Sequence, residues 1–475
     1  MIKKRYVILT SLFMAGAILL ILSSCNTVSV RRESKEQAAF LDDLKERTFM
    51  FFWDRADKVT FQTDDRYPTP RFTSIASTGF GLTAYIIGIE NGYINREEGA
   101  SRVLSTLSWL WSSEQGDAAD GVTGYHGLYY HFLEYGTGER YKNVELSTVD
   151  TGLLMAGILS CQSYFDRENE AEARIRELAD SLYLRVEWDW AMNGQEWMSM
   201  GWHPESGFIE AKWEGYNEAM ILVVLGLGSP THPIHDSSWV SWSKGYEWDD
   251  FYGYEHVNFS PLFGHQYSHM YIDFREMQDD YMKGKKMDYF ENSRRATLAN
   301  RAYCKDNPRG FPNYGPDEWG LTACDGPGYA EQVYQGDTVV FRAYAARGAS
   351  SRHIIDDGTI APTAAGGSIP FAPEQCIRAL MHMKDTYGDK LYQEYGFKDA
   401  YNMAFMKEDG TRGWFDLDYI GIDQGAILLQ VENYQSELVW DLMKKNKYII
   451  NGLQKAGFTG GWLNQAGQQT HETGS

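Results

Sequence analysis

Acidic residues stand at three places just ahead of apolar helical runs, and an aromatic, histidine-rich stretch precedes the first of them. That stretch is Tyr125-His126-Gly127-Leu128-Tyr129-Tyr130-His131-Phe132-Leu133. The first acidic segment, Glu145-Leu146-Ser147-Thr148-Val149-Asp150-Thr151-Gly152, holds two carboxylates. Asp150 follows Ser147 by three residues, the spacing of a capping box, so capping alone accounts for it. Glu145 lies outside the helix and has no such role. The second segment, Trp213-Glu214-Gly215-Tyr216-Asn217-Glu218-Ala219-Met220, carries Glu214 and Glu218 four residues apart. On a helix that spacing puts both on one face, where two ionised carboxylates repel. A helix N-terminus favours negative charge and accounts for Glu214 by itself. A second acid entering an apolar run is desolvated, which raises a carboxyl pKa toward the range a general acid needs. The third segment, Ile420-Gly421-Ile422-Asp423-Gln424-Gly425-Ala426, again opens an apolar run with an acid, and capping is its ordinary explanation.

Carboxyl groups in pairs are what glycosidic cleavage requires. One protonates the leaving oxygen while the other activates water or attacks the anomeric carbon. Acids opening several buried helices at one rim would supply such pairs, and aromatic loops would supply platforms for sugar rings. The chain has 15 Trp, 31 Tyr and 23 Phe to draw on. Its 44 basic and 65 acidic residues give a formal charge of −21. No basic stripe of the kind that binds nucleic acid is visible. A polyanionic substrate would be repelled at long range, so a neutral one fits best.

The elements that must carry these acids are helical. Gln37 to Asp57 reads as a first helix and Lys58 to Thr78 as a loop. Asn95 and Glu98 form a capping box that opens a helix to about Trp111, with one apolar stripe. Val149 to Phe165 is apolar around its whole circumference and should be buried on all sides. Glu168 to Val186 is one-sided again, with Ile175, Leu178, Ala179, Leu182 and Val186 as its stripe. Glu214 to Gly228 is expected to be a second all-round apolar helix. Further helices are expected at Met277 to Tyr303, Pro373 to Thr386, Asp423 to Tyr434 and Glu437 to Lys455. Alternation of half-exposed and fully buried helices is what two concentric rings demand. The expected fold is therefore all-α, an α/α barrel over residues 37–456, with long loops at one end carrying the cleft.

The ends read differently. Lys3, Lys4 and Arg5 precede an apolar run that meets Leu22-Ser23-Ser24-Cys25, the pattern of a secretory signal peptide over residues 1–24. The cysteine there resembles the lipidated residue of bacterial lipoproteins. Cys25 would open a tether over 25–36, and the protein would be exported and held at a membrane, periplasmic or outer-membrane associated, only by that lipid. Residues 457–475 read as a glycine- and glutamine-rich tail. Of the other cysteines, Cys161 is expected buried and free, and Cys304 and Cys324 flank a loop across which they could bridge. No CxxC pair suggests zinc, and no cofactor or metal is expected.

Several blocks together resemble the bacterial "glucoamylase-like" family. They are Ser74-Ile75-Ala76-Ser77-Thr78-Gly79-Phe80-Gly81-Leu82-Thr83-Ala84-Tyr85, Glu145 to Asp150, Trp213 to Glu218, Gly228-Ser229-Pro230-Thr231-His232-Pro233 and Ile422-Asp423-Gln424-Gly425. They run in the family's order over nearly the whole chain, and glycoside hydrolase family 144 is the group they match best. The resemblance implies a six-fold α/α barrel, inversion at the anomeric carbon, and hydrolysis of β-1,2-glucan, endo or exo with release of short products such as sophorose. It also implies that Glu145, Asp150, Glu214, Glu218 and Asp423 line the cleft. Glu214 is the expected proton donor, with Arg71, His126, Trp213, Tyr216, His265 and Tyr267 as sugar contacts. The competing expectations are a glucoamylase acting on another glucan linkage, a lyase, and a non-catalytic carbohydrate-binding lipoprotein.

Overall fold

The computed structural model describes residues 35–69 and 71–464. The expected signal peptide, Cys25, the first part of the tether and the tail beyond residue 464 lie outside the described residues. The chain divides into two units, 1–44 and 45–475. Of the first, residues 35–44 are described and are helical. The second carries everything discussed below.

Within it, six helices are buried around nearly their whole circumference: α1 (Ile75–Glu90), α2 (Thr148–Tyr164), α3 (Met220–Gly228), α4 (Tyr267–Tyr271), α5 (Pro362–Gly366) and α6 (Gly421–Ser436). They alternate along the chain with helices that keep a wet face, among them Arg96–Ser112, Glu170–Leu184, Tyr289–Asp306, Pro373–Tyr387 and Lys447–Lys455. In Glu170–Leu184 the buried stripe is Ile175, Leu178, Ala179 and Leu182, as the spacing predicts. The buried helices touch in the order α1, α2, α3, α4, α6 and back to α1. α5 packs on α6, and Gln266 just ahead of α4 donates to the Ala364 carbonyl of α5 at 2.9 Å. They thus form a closed inner ring. Each has to bury every side because it meets both the ring and the outer layer. α1 and α2 approach so closely that a methyl group on Gly157 would lie 2.0 Å from the Gly79 carbonyl oxygen.

The Asn95–Glu98 capping box forms in full. The Ser147 box forms in half: the Ser147 hydroxyl oxygen accepts from the Asp150 amide at 3.3 Å, but the Asp150 carboxylate takes the hydroxyl proton of Ser147 rather than its amide. Several expectations fail. The helix expected from Glu214 starts only at Met220, because Gly215 turns the chain with φ at +76°. Met277 to Tyr303 is broken after Lys285, where Lys286 is left-handed, and Glu437 to Lys455 is broken between Met443 and Lys447. Cys304 and Cys324 are free and buried, as are Cys161 and Cys376, so no bridge joins them. Among the described residues the strands are short, six residues at most, and pair as small antiparallel sheets in the loops.

Candidate active site

One of those sheets builds the first wall of a cavity at the N-terminal ends of the inner helices. It has five strands, in the order Gly124–Tyr125, Leu128–Tyr130, Leu146–Ser147, Gly201–His203 and Gly207–Phe208. Tyr130 pairs with Leu146, and the residues just beyond that pair are His131 and Glu145. Their main chains join, His131 N donating to Glu145 O at 3.0 Å. Their side chains join as well, with Nδ1 at 2.8 Å from Glu145 Oε1. Nε2 faces Asp150 Oδ2 at 3.6 Å. Burial pulls the His131 pKa down, but the Asp150 charge and the bond and charge of Glu145 outweigh it and raise it to about 9. The ring is therefore an imidazolium at neutral pH. Burial likewise pushes Glu145 up, and His131 overrules it, holding the carboxyl below its usual range. For Asp150 burial wins, and the carboxyl is raised despite His131 and Ser147. The donor atoms of His131, Glu145 and Asp150 lie close enough together to hold a metal ion. The imidazolium already supplies the positive charge there, since both its nitrogens face carboxylates.

The opposite wall comes from the loop ahead of α3. Trp213 Nε1 donates to Thr148 Oγ1 at 2.9 Å, tying the loop to the first residue of α2. Gly215 N then donates to the Trp242 carbonyl at 2.9 Å, and the Asn217 side-chain oxygen accepts from Ala219 N at 3.0 Å. Ser268 of α4 uses its hydroxyl twice, donating to Glu218 O at 3.1 Å and accepting from Ile221 N at 2.9 Å. These bonds aim Glu218 into the cavity. Its Oε2 is buried and has no donor. Burial raises its pKa to about 7, a backbone bond opposes that in part, and the Asp150 charge adds to it.

Between the walls lie Trp213, Tyr267, Phe263, Tyr344, Met200 and Ile422, around a space of about 340 Å³. Asp423 follows Ile422 in the first turn of α6. It caps nothing, for Ile420 is the N-cap and no side chain bonds there. Burial, opposed by a bond to Asp399 and reinforced by the charges of Asp325 and Asp65, brings its pKa to about 7.

Of the acids named from the sequence, Glu145, Asp150 and Glu218 line the cavity and Asp423 adjoins it through Ile422. Glu214 does not. Its side chain is 48% exposed and pairs with Lys212 Nζ at 3.0 Å on the outside of the loop, because the missing helical turn lets the two glutamates diverge. Trp213 and Tyr267 line the cavity as expected. The other four expected contacts do not. Arg71 bonds Asp64 at 3.1 Å and lies over the Tyr135 ring. His126 bonds Glu187 at 2.8 Å and stacks on Trp190. Tyr216 and His265 pack on each other in a buried aromatic layer, Tyr216 bonding Ser293 and His265 the Phe259 carbonyl. Sequence reasoning passed over His131 and Tyr344. His131 sits in the same aromatic run as His126, and only the strand pairing with Glu145 separates them.

A closed ring of six buried helices in an outer helical layer, with a carboxylate-walled cavity at one end, defines the class as an α/α toroid. More particularly, residues 210–447 match the family described as "Putative glucoamylase", and the chain belongs to it. Among solved structures it is similar to a "putative glucoamylase" from Bacteroides uniformis, with 32% identity and a TM-score of 0.78 over 90% of this chain and 98% of that one. It is also similar to the endo-β-1,2-glucanase of Chitinophaga pinensis, solved with sophorotriose and glucose, with 30% identity and a TM-score of 0.77 over 89% and 98%. The exo β-1,2-glucooligosaccharide sophorohydrolase of Parabacteroides distasonis is 29% identical over 90% of this chain. The chain spans 59% of the length of that curated relative.

Proposed function

We propose that the protein is a glycoside hydrolase that cleaves β-1,2-linked glucan or gluco-oligosaccharides. The names of its glucanase relatives support the linkage. The observation that carries the chemistry is Glu218, a carboxyl with no donor on its buried oxygen and a pKa near 7, facing a wall of charged groups across one cavity. Glu218 protonates the leaving oxygen, the role first assigned to Glu214. A carboxylate of the opposite side, Asp150 or Glu145 beside His131, or Asp423 buried next to Ile422, holds the attacking water. With water as nucleophile the anomeric configuration inverts. Trp213, Tyr267 and Tyr344 supply flat faces for the sugar rings.

Incubation of the protein with linkage-defined glucans tests this. Short β-1,2-gluco-oligosaccharides of inverted anomeric configuration are expected, and release of glucose from starch with no β-1,2 product would overturn it. Product size over time separates endo from exo attack. Export with a lipid on Cys25 belongs to the same reading, and incorporation of labelled palmitate that survives Cys25→Ser would disprove it.

A further inference from the structure

We propose that Asp325, Asp416 and Asp418 form a binding site for a hard divalent cation, Ca²⁺ above all, beside the cavity. The inference is independent of the hydrolytic reading and is tested by binding alone.

Asp416 and Asp418 flank one residue between the Arg412–Phe415 strand and Tyr419–Ile420, and Asp325 follows the two-residue strand Ala323–Cys324. One carboxylate oxygen from each lies within 4.8 Å of the others. Ca²⁺ binds oxygen at about 2.3–2.6 Å, so ligands on opposite sides of one ion stand about 4.6–5.2 Å apart. The three oxygens fit a single sphere. All three are carboxylate oxygens, with no nitrogen or sulfur ligand among them, which selects a hard ion over zinc or copper.

The cluster is also held in place. Thr69 donates both its amide, at 3.0 Å, and its hydroxyl to Asp418. Asp418 N donates to Asp416 Oδ1 at 3.1 Å, and Asp325 N to Asp399 Oδ2 at 2.7 Å. What these bonds leave over points to a ligand. Asp416 Oδ2 is buried and receives no donor, and the residue is 8% exposed. Buried acceptors in that state are destabilising unless something positive or hydrogen-bonding meets them.

Charge leads the same way. Arg66 reaches Asp325 at 2.7 Å, Asp65 at 3.1 Å and Asp418 at 3.7 Å. It is shared by Asp65, Asp325 and Asp418. Arg347 bonds the Asp325 carbonyl, but its guanidinium is engaged by Asp357 at 2.8 Å. At the first wall an imidazolium sits between two carboxylates; here Arg66 is divided among three carboxylates and, among the described residues, no cation pairs with Asp416.

The full chain, stripped with EDTA, is titrated with Tb³⁺ while aromatic-sensitised emission is followed, and Ca²⁺ is then added. Saturable emission displaced by Ca²⁺ is expected, together with a rise of about 2–5 °C in the thermal midpoint in millimolar Ca²⁺. Both responses should vanish in Asp416→Asn and in Asp325→Asn, with the metal-free midpoint of each variant no lower than that of the parent. Asp325 keeps 18% of its side chain exposed, so the second variant carries the test if the first does not fold. Absence of saturable emission and of any shift, or responses undiminished in both variants, would overturn the proposal.

Discussion

The two walls of the cavity hold the same kind of group and treat it in opposite ways. On the sheet side Glu145 is half-buried yet kept ionised, because His131 is within 2.8 Å and carries a proton to about pH 9. On the loop side Glu218 has no cation at all, and burial leaves it protonated to about pH 7. Burial acts on both in the same direction. What differs is the partner, so partners decide which carboxyl keeps a proton and which keeps a charge.

The sharpest way to break the comparison is Glu218→Gln. Removing a general acid is expected to lower kcat by about 10²–10⁴-fold with a smaller change in KM, measured on a β-1,2-gluco-oligosaccharide. The same variant should be the more stable protein at pH 8, since it removes a buried carboxylate that must ionise; a lower thermal midpoint than the parent at that pH would count against the assignment. Next is His131→Asn, which leaves Glu145 and Asp150 facing each other without a cation. The pocket is partly open, so the expected loss is about 1–3 kcal/mol by urea unfolding, with a fall in kcat/KM on the order of tenfold.

The two walls also titrate in different windows. Glu218 has a folded pKa raised above its ordinary 4.5, so its contribution to stability is full at pH below that value and is lost as pH rises to about 7. His131 is raised above 6.5, so its contribution is full below that value and is lost as pH rises through about 9. Unfolding free energy measured from pH 4 to 10 should lose its lower slope in Glu218→Gln and its upper slope in His131→Asn. Activity should fall above pH 7 as Glu218 loses its proton. The smallest effect belongs to Glu214→Gln: less than about twofold in kcat and within ~0.5 kcal/mol in stability, because an exposed pair with Lys212 contributes little.

The frame was readable from residue pattern. Leu153 to Leu159 cover every side of α2, while Ile175, Leu178, Ala179 and Leu182 cover one side of the next helix, and the ring follows from that contrast. Three of the cavity acids were readable too, as charges ahead of apolar runs. The mistake over Glu214 has a local cause. An i, i+4 argument holds only on a helix, and Gly215 with its positive φ breaks the turn that would have aligned Glu214 with Glu218. His131 was hidden for a different reason: its meaning depends on a strand pairing across fourteen residues, in strands too short to leave an alternating pattern. Asp325 and Asp416 were hidden by distance along the chain, since nothing local links them.

Glu218 owes its aim to a hydroxyl on Ser268, fifty residues later, and faces His131, which arrives before either. The whole cavity lining runs from His131 to Ile422, so no contiguous half of the chain contains all of it. During folding the acid would acquire its direction only after neighbouring segments had docked, which makes hydrolysis a late event. A chain caught part-way would be inert toward glycans instead of indiscriminate, and recovery of activity in a refolding experiment should trail the recovery of helical signal.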